Sequence, residues 1–168
     1  GVRTGADFAL GAGLVAGFVL KKYHPKVVAI TESIEKIFIK EAVFSVLAKK
    51  FRVRKSEKKY DNEIGVPLTI IGVKRPQNSL FGWFKVFLRG FFLLIFPAEY
   101  SEILILEMSA NRPGDMKYLT DFIKVDIGII TEISASQIEF SKTLNEKSLA
   151  ILNADNEYVA KMKNHVKA

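Results

Sequence analysis

The stretch that most constrains the fold lies between Val27 and Leu47. It starts with a short β-branched and apolar run from Val27 to Ile30, which predicts a buried strand. One face of a helix is predicted after it, from apolar side chains at helical spacing: Ile39, Val43, Phe44 and Leu47. Between the two lies a tight turn that carries Lys36. A strand, a turn, a lysine and a helix in this order are the layout of a phosphate-binding loop.

The turn itself lacks the glycines that such a loop uses. Glycine lets backbone N–H groups approach a polyphosphate without a Cβ in the way. Here Glu32 and Glu35 stand in the turn, and Ile37 follows the lysine where a magnesium-binding hydroxyl would be expected. A carboxylate ~4 Å from a phosphate oxygen opposes binding by roughly 1 kcal/mol in water and by about 4 kcal/mol at an effective dielectric constant of 20. The turn therefore predicts a phosphate site whose affinity is weakened or lost.

The rest of the chain continues the alternation of strands with helices. Strands are predicted over residues 51–54, 102–108, 126–131 and 149–153. Helices are predicted over residues 5–22, 36–50, 80–96 and 113–123. A short additional helix is predicted to open at Pro67, and a last one to be capped by Asp155 and to run to residue 166. This order indicates an α/β fold with three layers, a mostly parallel sheet with helices on both faces. Glu107 lies at the carboxyl end of its strand, where such sheets bind ligands.

Composition indicates which classes of ligand and partner the chain could bind. The 168 residues include 25 basic and 18 acidic side chains, and the net charge of +7 favours anionic partners. There is no cysteine, and the two histidines, His24 and His165, are too few for a histidine metal cluster. Basic residues cluster between Lys49 and Lys59, but the interleaved aromatic side chains that stack on bases are nearly absent there. No nucleic acid partner is therefore expected.

The segment from Leu80 to Phe96 suggests peripheral membrane contact. Its tryptophan and phenylalanines, together with Lys85 and Arg89, suit the boundary between lipid headgroups and acyl chains. The alternative is a helix that packs on its own domain. The two charges, with Gly82 and Gly90, interrupt the segment, and the apolar run over residues 8–20 is shorter than the ~20 residues of a spanning helix. No membrane-spanning segment is expected.

Four further motifs occur in a fixed order along the chain. They are Asn-Glu-Ile-Gly-Val-Pro-Leu-Thr at residues 62–69, Leu-Glu-Met-Ser-Ala-Asn-Arg-Pro-Gly-Asp at 106–115, Ile-Ile-Thr at 129–131 and Leu-Asn-Ala-Asp at 152–155. Together they resemble the central ATP-binding domain of the Mur ligases, which form amide bonds in peptidoglycan precursor synthesis. Within that family the resemblance is closest to the branch that adds D-alanyl-D-alanine to a UDP-muramoyl peptide. It covers residues 26–168, after a leading helix and linker over residues 1–25, and the region between 140 and 149 looks shortened.

The resemblance implies a role for each matching residue. The family's loop Thr-Gly-Ser-x-Gly-Lys-Thr-Thr corresponds to residues 31–38, and its Asn-Asn pair to residues 61–62. The implied nucleotide-binding residues are Thr31, Ser33, Lys36 and Asn62. Lys36 and Glu107 are the implied catalytic residues, with Glu107 also holding magnesium. Gln137 stands where the family has a second magnesium ligand, a histidine.

The implied function is that of an ATP-dependent ligase with ATP and Mg²⁺ as cofactors. In such an enzyme ATP phosphorylates a substrate carboxylate, and an amine then displaces the phosphate, with charge neutralised by a lysine and magnesium. Neither the UDP-sugar domain nor the amino-acid domain of the family is expected within these residues, so UDP-muramoyl peptide and D-alanyl-D-alanine are expected as partners of the family only. Together with the altered turn, this predicts a cytoplasmic protein with impaired or absent ligase activity. Two alternatives stay open: a non-catalytic scaffold descended from that domain, and a basic protein at the inner face of the membrane.

Overall fold

The computed structural model describes residues 2–31, 36–57, 60–76, 79–109, 115–132, 140–141 and 144–164. Its strands are β1 (Lys26–Thr31), β2 (Val53–Lys55), β3 (Ile103–Met108), β4 (Ile127–Ile130) and β5 (Leu149–Leu152). Its helices are α1 (Val2–Tyr23), α2 (Lys36–Leu47), α3 (Gly65–Ile71), α4 (Leu80–Ile95), α5 (Asp115–Phe122) and α6 (Glu157–Lys161), which continues as a 3₁₀ turn over Met162–Asn164.

The strands form one sheet in the order β2-β3-β1-β4-β5, and all four pairings between them are parallel. β1 and β3 lie at its centre and are almost entirely buried, which is why both read as nearly continuous apolar runs in the sequence. The predicted α/β class with a parallel sheet is confirmed. Because every strand runs the same way, the carboxyl ends of all five meet at one edge.

Helices cover both faces of the sheet. On one face a smaller core forms between β1, β3, β4 and α2, and it includes the predicted helix face of Ile39, Val43, Phe44 and Leu47. On the other face a larger core joins the sheet to α1, α3, α4 and α5. The three-layer arrangement expected from the sequence is therefore present, with α2 on one side and most of the helical mass on the other.

α1 packs closely on the helices of the larger core. A Cβ built on Gly90 of α4 would lie 2.3 Å from Val15 Cγ1, and one on Gly13 would lie 2.0 Å from Tyr118 Oη. Glycine at these two positions is what allows the helices to approach so closely. At the other end, the Lys22 ammonium donates hydrogen bonds to three carbonyls at the end of α4, those of Leu93 and Leu94 and that of Phe96, which caps the helix. α4 continues through Gly82 and Gly90 rather than being interrupted by them.

Other predicted boundaries shift by a few residues. The predicted 36–50 helix ends at Leu47, and the 51–54 strand is displaced to Val53–Lys55. The last helix is capped by Asn156 rather than Asp155, since Asn156 Oδ1 accepts hydrogen bonds from the backbone of Tyr158 and Val159 at 3.1 Å. Within the described residues, no helix combines the length and the hydrophobicity that crossing a bilayer requires.

Candidate functional site

The candidate site lies where β1 ends, α2 begins and β3 passes beside them. Ile30 of β1 pairs with Glu107 of β3, one residue before both strands end. Ile103, Ile105 and Glu107 stand at every second position of β3, so their side chains lie on the same face of the sheet. That face is the one that α2 covers. Lys36 is the first residue of that same helix. The fold thus brings the start of α2 and the Glu107 carboxylate to one end of one face, while the direction of the Lys36 side chain stays a prediction.

A second lysine of α2 contacts Glu107 directly. Lys40 Nζ lies 2.5 Å from Glu107 Oε1, and both side chains are only 3% exposed. The same ammonium donates a hydrogen bond to the backbone carbonyl of Ser56 at 2.9 Å. Ser56 is itself buried, and its hydroxyl accepts a 3.2 Å hydrogen bond from the Glu107 backbone N–H. An ion pair enclosed in this way fixes α2 against β3.

These residues do not fit a magnesium ion. Mg²⁺ requires near-octahedral oxygen ligands at about 2.0–2.1 Å and keeps several waters. Glu107 instead contacts an ammonium group and is buried with it, and the described residues contain no group of three or more acidic, histidine or cysteine side chains that could hold a metal. Glu107 is therefore not an exposed polar strand end, because its side chain is buried.

The other implied site residues that the structure describes lie at the same edge of the sheet but make other contacts. Thr31 ends β1, and the carbonyl of Asp61, next to Asn62, accepts a 2.7 Å hydrogen bond from the backbone of Ser109 just after β3. Thr31 is buried, and its side chain lies on the opposite face of the sheet from Glu107, where its hydroxyl donates to the Ile129 carbonyl at 3.3 Å. Asn62 Oδ1 accepts hydrogen bonds from the backbone of Ile64 and Gly65 at 3.3 and 2.9 Å, so it caps the start of α3. Ser33 and Gln137 lie outside the described residues.

Lys40 is the site residue that the sequence analysis missed. It precedes Val43 and Phe44 by three and four positions, which places it on the helix face that packs against the sheet. A lysine on a buried face requires a negative partner, since an unpaired buried charge is strongly destabilising. Glu107, the acidic residue within the apolar β3 run, is the partner that this reasoning could have found.

Comparison with known proteins finds sequence similarity to two D-alanyl-D-alanine-adding ligases. The chain is 25% identical over 173 aligned positions to UDP-N-acetylmuramoyl-tripeptide–D-alanyl-D-alanine ligase of Buchnera aphidicola, covering 95% of this chain and 33% of that enzyme. It is 27% identical over 165 positions to the ligase of the same name from Borreliella burgdorferi, covering 91% of this chain and 30% of that enzyme. The resemblance to the Mur ligases is confirmed. No family model matches the sequence.

Solved structures of the Mur ligase MurF share the fold. MurF from Acinetobacter baumannii aligns with a TM-score of 0.70 at 18% identity, over 95% of this chain and 33% of that one. MurF ligase from Thermotoga maritima, solved in complex with ADP, aligns with a TM-score of 0.67 at 22% identity, over 94% of this chain and 34% of that one. The chain therefore spans about a third of the length of these Mur ligases.

Proposed function

We propose that this chain is the nucleotide-binding part of a ligase that adds D-alanyl-D-alanine to a UDP-muramoyl peptide, and that its nucleotide affinity is weakened. The observation that supports the proposal is the pairing of Ile30 with Glu107, which sets an acidic residue beside the end of β1, the strand that precedes α2 and Lys36. The Thermotoga maritima relative, solved with ADP, supports a nucleotide as the ligand of this fold.

In this proposal Lys36 contacts the β- and γ-phosphates of ATP. A phosphate group placed at the start of α2 would also meet the unpaired N–H groups of the first helical turn. The carboxylates of Glu32 and Glu35 oppose the same phosphate, and the missing glycines limit how closely backbone donors approach it. Amide-bond formation itself requires parts of the relatives that this chain does not span, so the UDP-muramoyl peptide and D-alanyl-D-alanine are partners of the larger assembly.

The test is isothermal titration calorimetry with ATP and ADP on two proteins. The wild type is compared with a repaired variant that carries Glu32→Gly, Glu35→Gly and Ile37→Thr. The repaired variant should bind at least tenfold more tightly, because each carboxylate removed relieves roughly 1 kcal/mol or more of repulsion. Adding Lys36→Met to the repaired variant should abolish the gain.

A matched control separates local repulsion from net charge. Glu146→Gly removes one negative charge from an exposed turn and should leave the affinity unchanged. Equal affinities for wild type and repaired variant would contradict the phosphate-loop assignment. In that case the alternative of a non-catalytic scaffold, descended from the ligase domain, is the function that we would assign to this chain.

A second candidate function is contact with an anionic membrane surface through α4. The outward side of this helix carries large apolar side chains that are exposed in the described structure: Leu80, Phe81, Phe84, Leu88, Phe91, Phe92 and Ile95. Lys85 and Arg89 are exposed among them, and α4 contains no acidic residue. Three apolar side chains of the adjacent α1 are exposed as well, namely Leu10, Leu14 and Phe18. The outward side of α4, which is apolar with basic residues and no acidic ones, is complementary to anionic lipid.

Vesicle co-sedimentation tests this second function. The protein should pellet at low salt with phosphatidylcholine vesicles that contain phosphatidylserine, and less with phosphatidylcholine alone. Phe84→Ser with Phe91→Ser should reduce pelleting, whereas Phe38→Ser, an exposed phenylalanine on the other side of the sheet, should not. No pelleting with anionic vesicles at low salt would refute it. A dimer in sedimentation velocity that Phe84→Ser dissociates would assign this face to a second copy of the chain instead.

A further inference from the structure

Two opposite charges are buried together at the candidate site, where they form an ion pair, although Glu107 Oε1 has no hydrogen-bond partner among the described residues. Transferring a single charge from water into a protein interior is costly, and a partner at contact distance offsets much of that cost. Lys40 and Glu107 meet at 2.5 Å, and the ammonium also reaches the Ser56 carbonyl at 2.9 Å. The carboxylate is thus neutralised by a group that belongs to the chain.

The Lys40 ammonium occupies the position next to the Glu107 carboxylate that a metal ion would need. An ion coordinated by Glu107 would lie about 2.0–2.1 Å from a carboxylate oxygen and would bring its own shell of water. The lysine nitrogen already lies against Oε1, and the pair is nearly inaccessible to solvent. A divalent ion there would stand within a few ångströms of a like charge, in surroundings that screen the repulsion poorly.

We propose that the Lys40 ammonium replaces a divalent cation at Glu107, so that this chain binds no divalent metal ion at that carboxylate. Lys40 extends from the helix that begins with Lys36, and its ammonium group therefore lies at the end of β3 through a contact within the chain itself. The inference takes from the proposed function only the assignment of Glu107 to this site. Any nucleotide affinity of the chain then requires no metal ion held by Glu107.

The test uses Mn²⁺ as the probe and contains no nucleotide, so it can fail separately from the proposed function. Free Mn²⁺ is measured by electron paramagnetic resonance while the protein is titrated. The wild type should leave Mn²⁺ free, because the carboxylate is occupied. Lys40→Ala removes the ammonium and leaves a cavity beside the carboxylate. This variant should therefore bind Mn²⁺ with an affinity at least tenfold above that of the wild type. The double variant Lys40→Ala with Glu107→Gln should lose that gain.

Two controls make the result decisive. Lys55→Ala removes a lysine that pairs with Glu41 at the surface beside α2, and it should gain no Mn²⁺ binding. If Lys40→Ala fails to fold, the wild type is compared with Lys40→Met/Glu107→Gln, which keeps the volume of the site and buries no charge. Mn²⁺ binding by the wild type that this neutral variant lacks would overturn the proposal. No difference between the two would support it.

Discussion

α2 and α4 depart from the usual distribution of side chains in opposite directions. α2 buries a lysine, Lys40, against the sheet. α4 exposes phenylalanines such as Phe81 and Phe84 while a different side of the same helix packs into the larger core through Leu93. Both helices flank the same parallel sheet, on opposite faces.

The difference lies in where the partner of each unusual side chain is found. The buried lysine has its partner within the chain, so its position is explained by the fold alone. The exposed apolar side chains of α4 have no such explanation in the described structure, and an external surface is the simplest one. A buried charge or an exposed apolar side chain therefore indicates an internal contact where the chain supplies the partner, and an external contact where it does not.

Removing one member of the buried pair should have the largest effect. Lys40→Ala should lower the free energy of unfolding by about 3–5 kcal/mol, because it leaves the Glu107 carboxylate buried without its cation. The double variant Lys40→Met/Glu107→Leu should recover most of this loss, since apolar groups of similar size often replace a buried ion pair at no cost. Urea denaturation measures both. A loss below about 1 kcal/mol in the single variant would show that the pair is solvated and would remove the contrast with α4.

The two sides of α4 should respond differently to truncation. Leu93→Ala should cost about 2–5 kcal/mol of stability, because the side chain is 1% exposed and its loss leaves a cavity in the larger core. Ile95→Ala should change stability by less than about 0.5 kcal/mol, since that side chain is 58% exposed. Thermal unfolding of both variants measures the difference. Equal losses would mean that the outward side of α4 is also packed.

The charges on the outward side of α4 should act on lipid binding and leave stability unchanged. Lys85→Gln and Arg89→Gln should each weaken binding to phosphatidylserine vesicles by about 1 kcal/mol, roughly fivefold. Co-sedimentation at low salt measures this, and the difference should fade at high salt, where surface charges are screened. Variants that bind as tightly as the wild type would leave the apolar side chains as the only basis for a membrane role.

An exposed ion pair should give the smallest effect and serve as the reference for the buried one. Lys117 and Asp121 pair one turn apart on α5 at 3.3 Å, with both side chains largely exposed. Lys117→Ala should lower stability by only about 0.3–0.5 kcal/mol. Chemical denaturation at low and high salt checks it. A loss comparable to that of Lys40→Ala would show that burial is not what distinguishes the two pairs.

Much of the fold could be predicted because it depends on local periodicity. The run from Val27 to Ile30 and the apolar positions of α2 each carry their own pattern, and both formed the elements expected of them. α3 ends at Gly72, which has a φ of 77°, a left-handed conformation that glycine adopts readily. Boundaries were less predictable where neighbouring residues compete for one role, as Asp155 and Asn156 did for the cap of α6.

The site was harder to predict because it depends on contacts between distant parts of the chain. Lys40 and Glu107 each look ordinary in sequence, and only the pairing of β1 with β3 brings the helix and the strand together. Gly90 was taken as an interruption of its helix. It instead removes a side chain that would collide with Val15 of α1, a requirement that no local pattern records.

The order of strands in the sheet also has a consequence for how the chain reaches its native state. Both neighbours of β1 come late in the sequence, since Lys26 pairs with Ile103 and Val28 pairs with Ile127. Long loops must close before either pairing forms, which slows folding. During synthesis on the ribosome, the central strand β1 has no neighbour until β3 has emerged, and until then it is a site where nascent chains can aggregate.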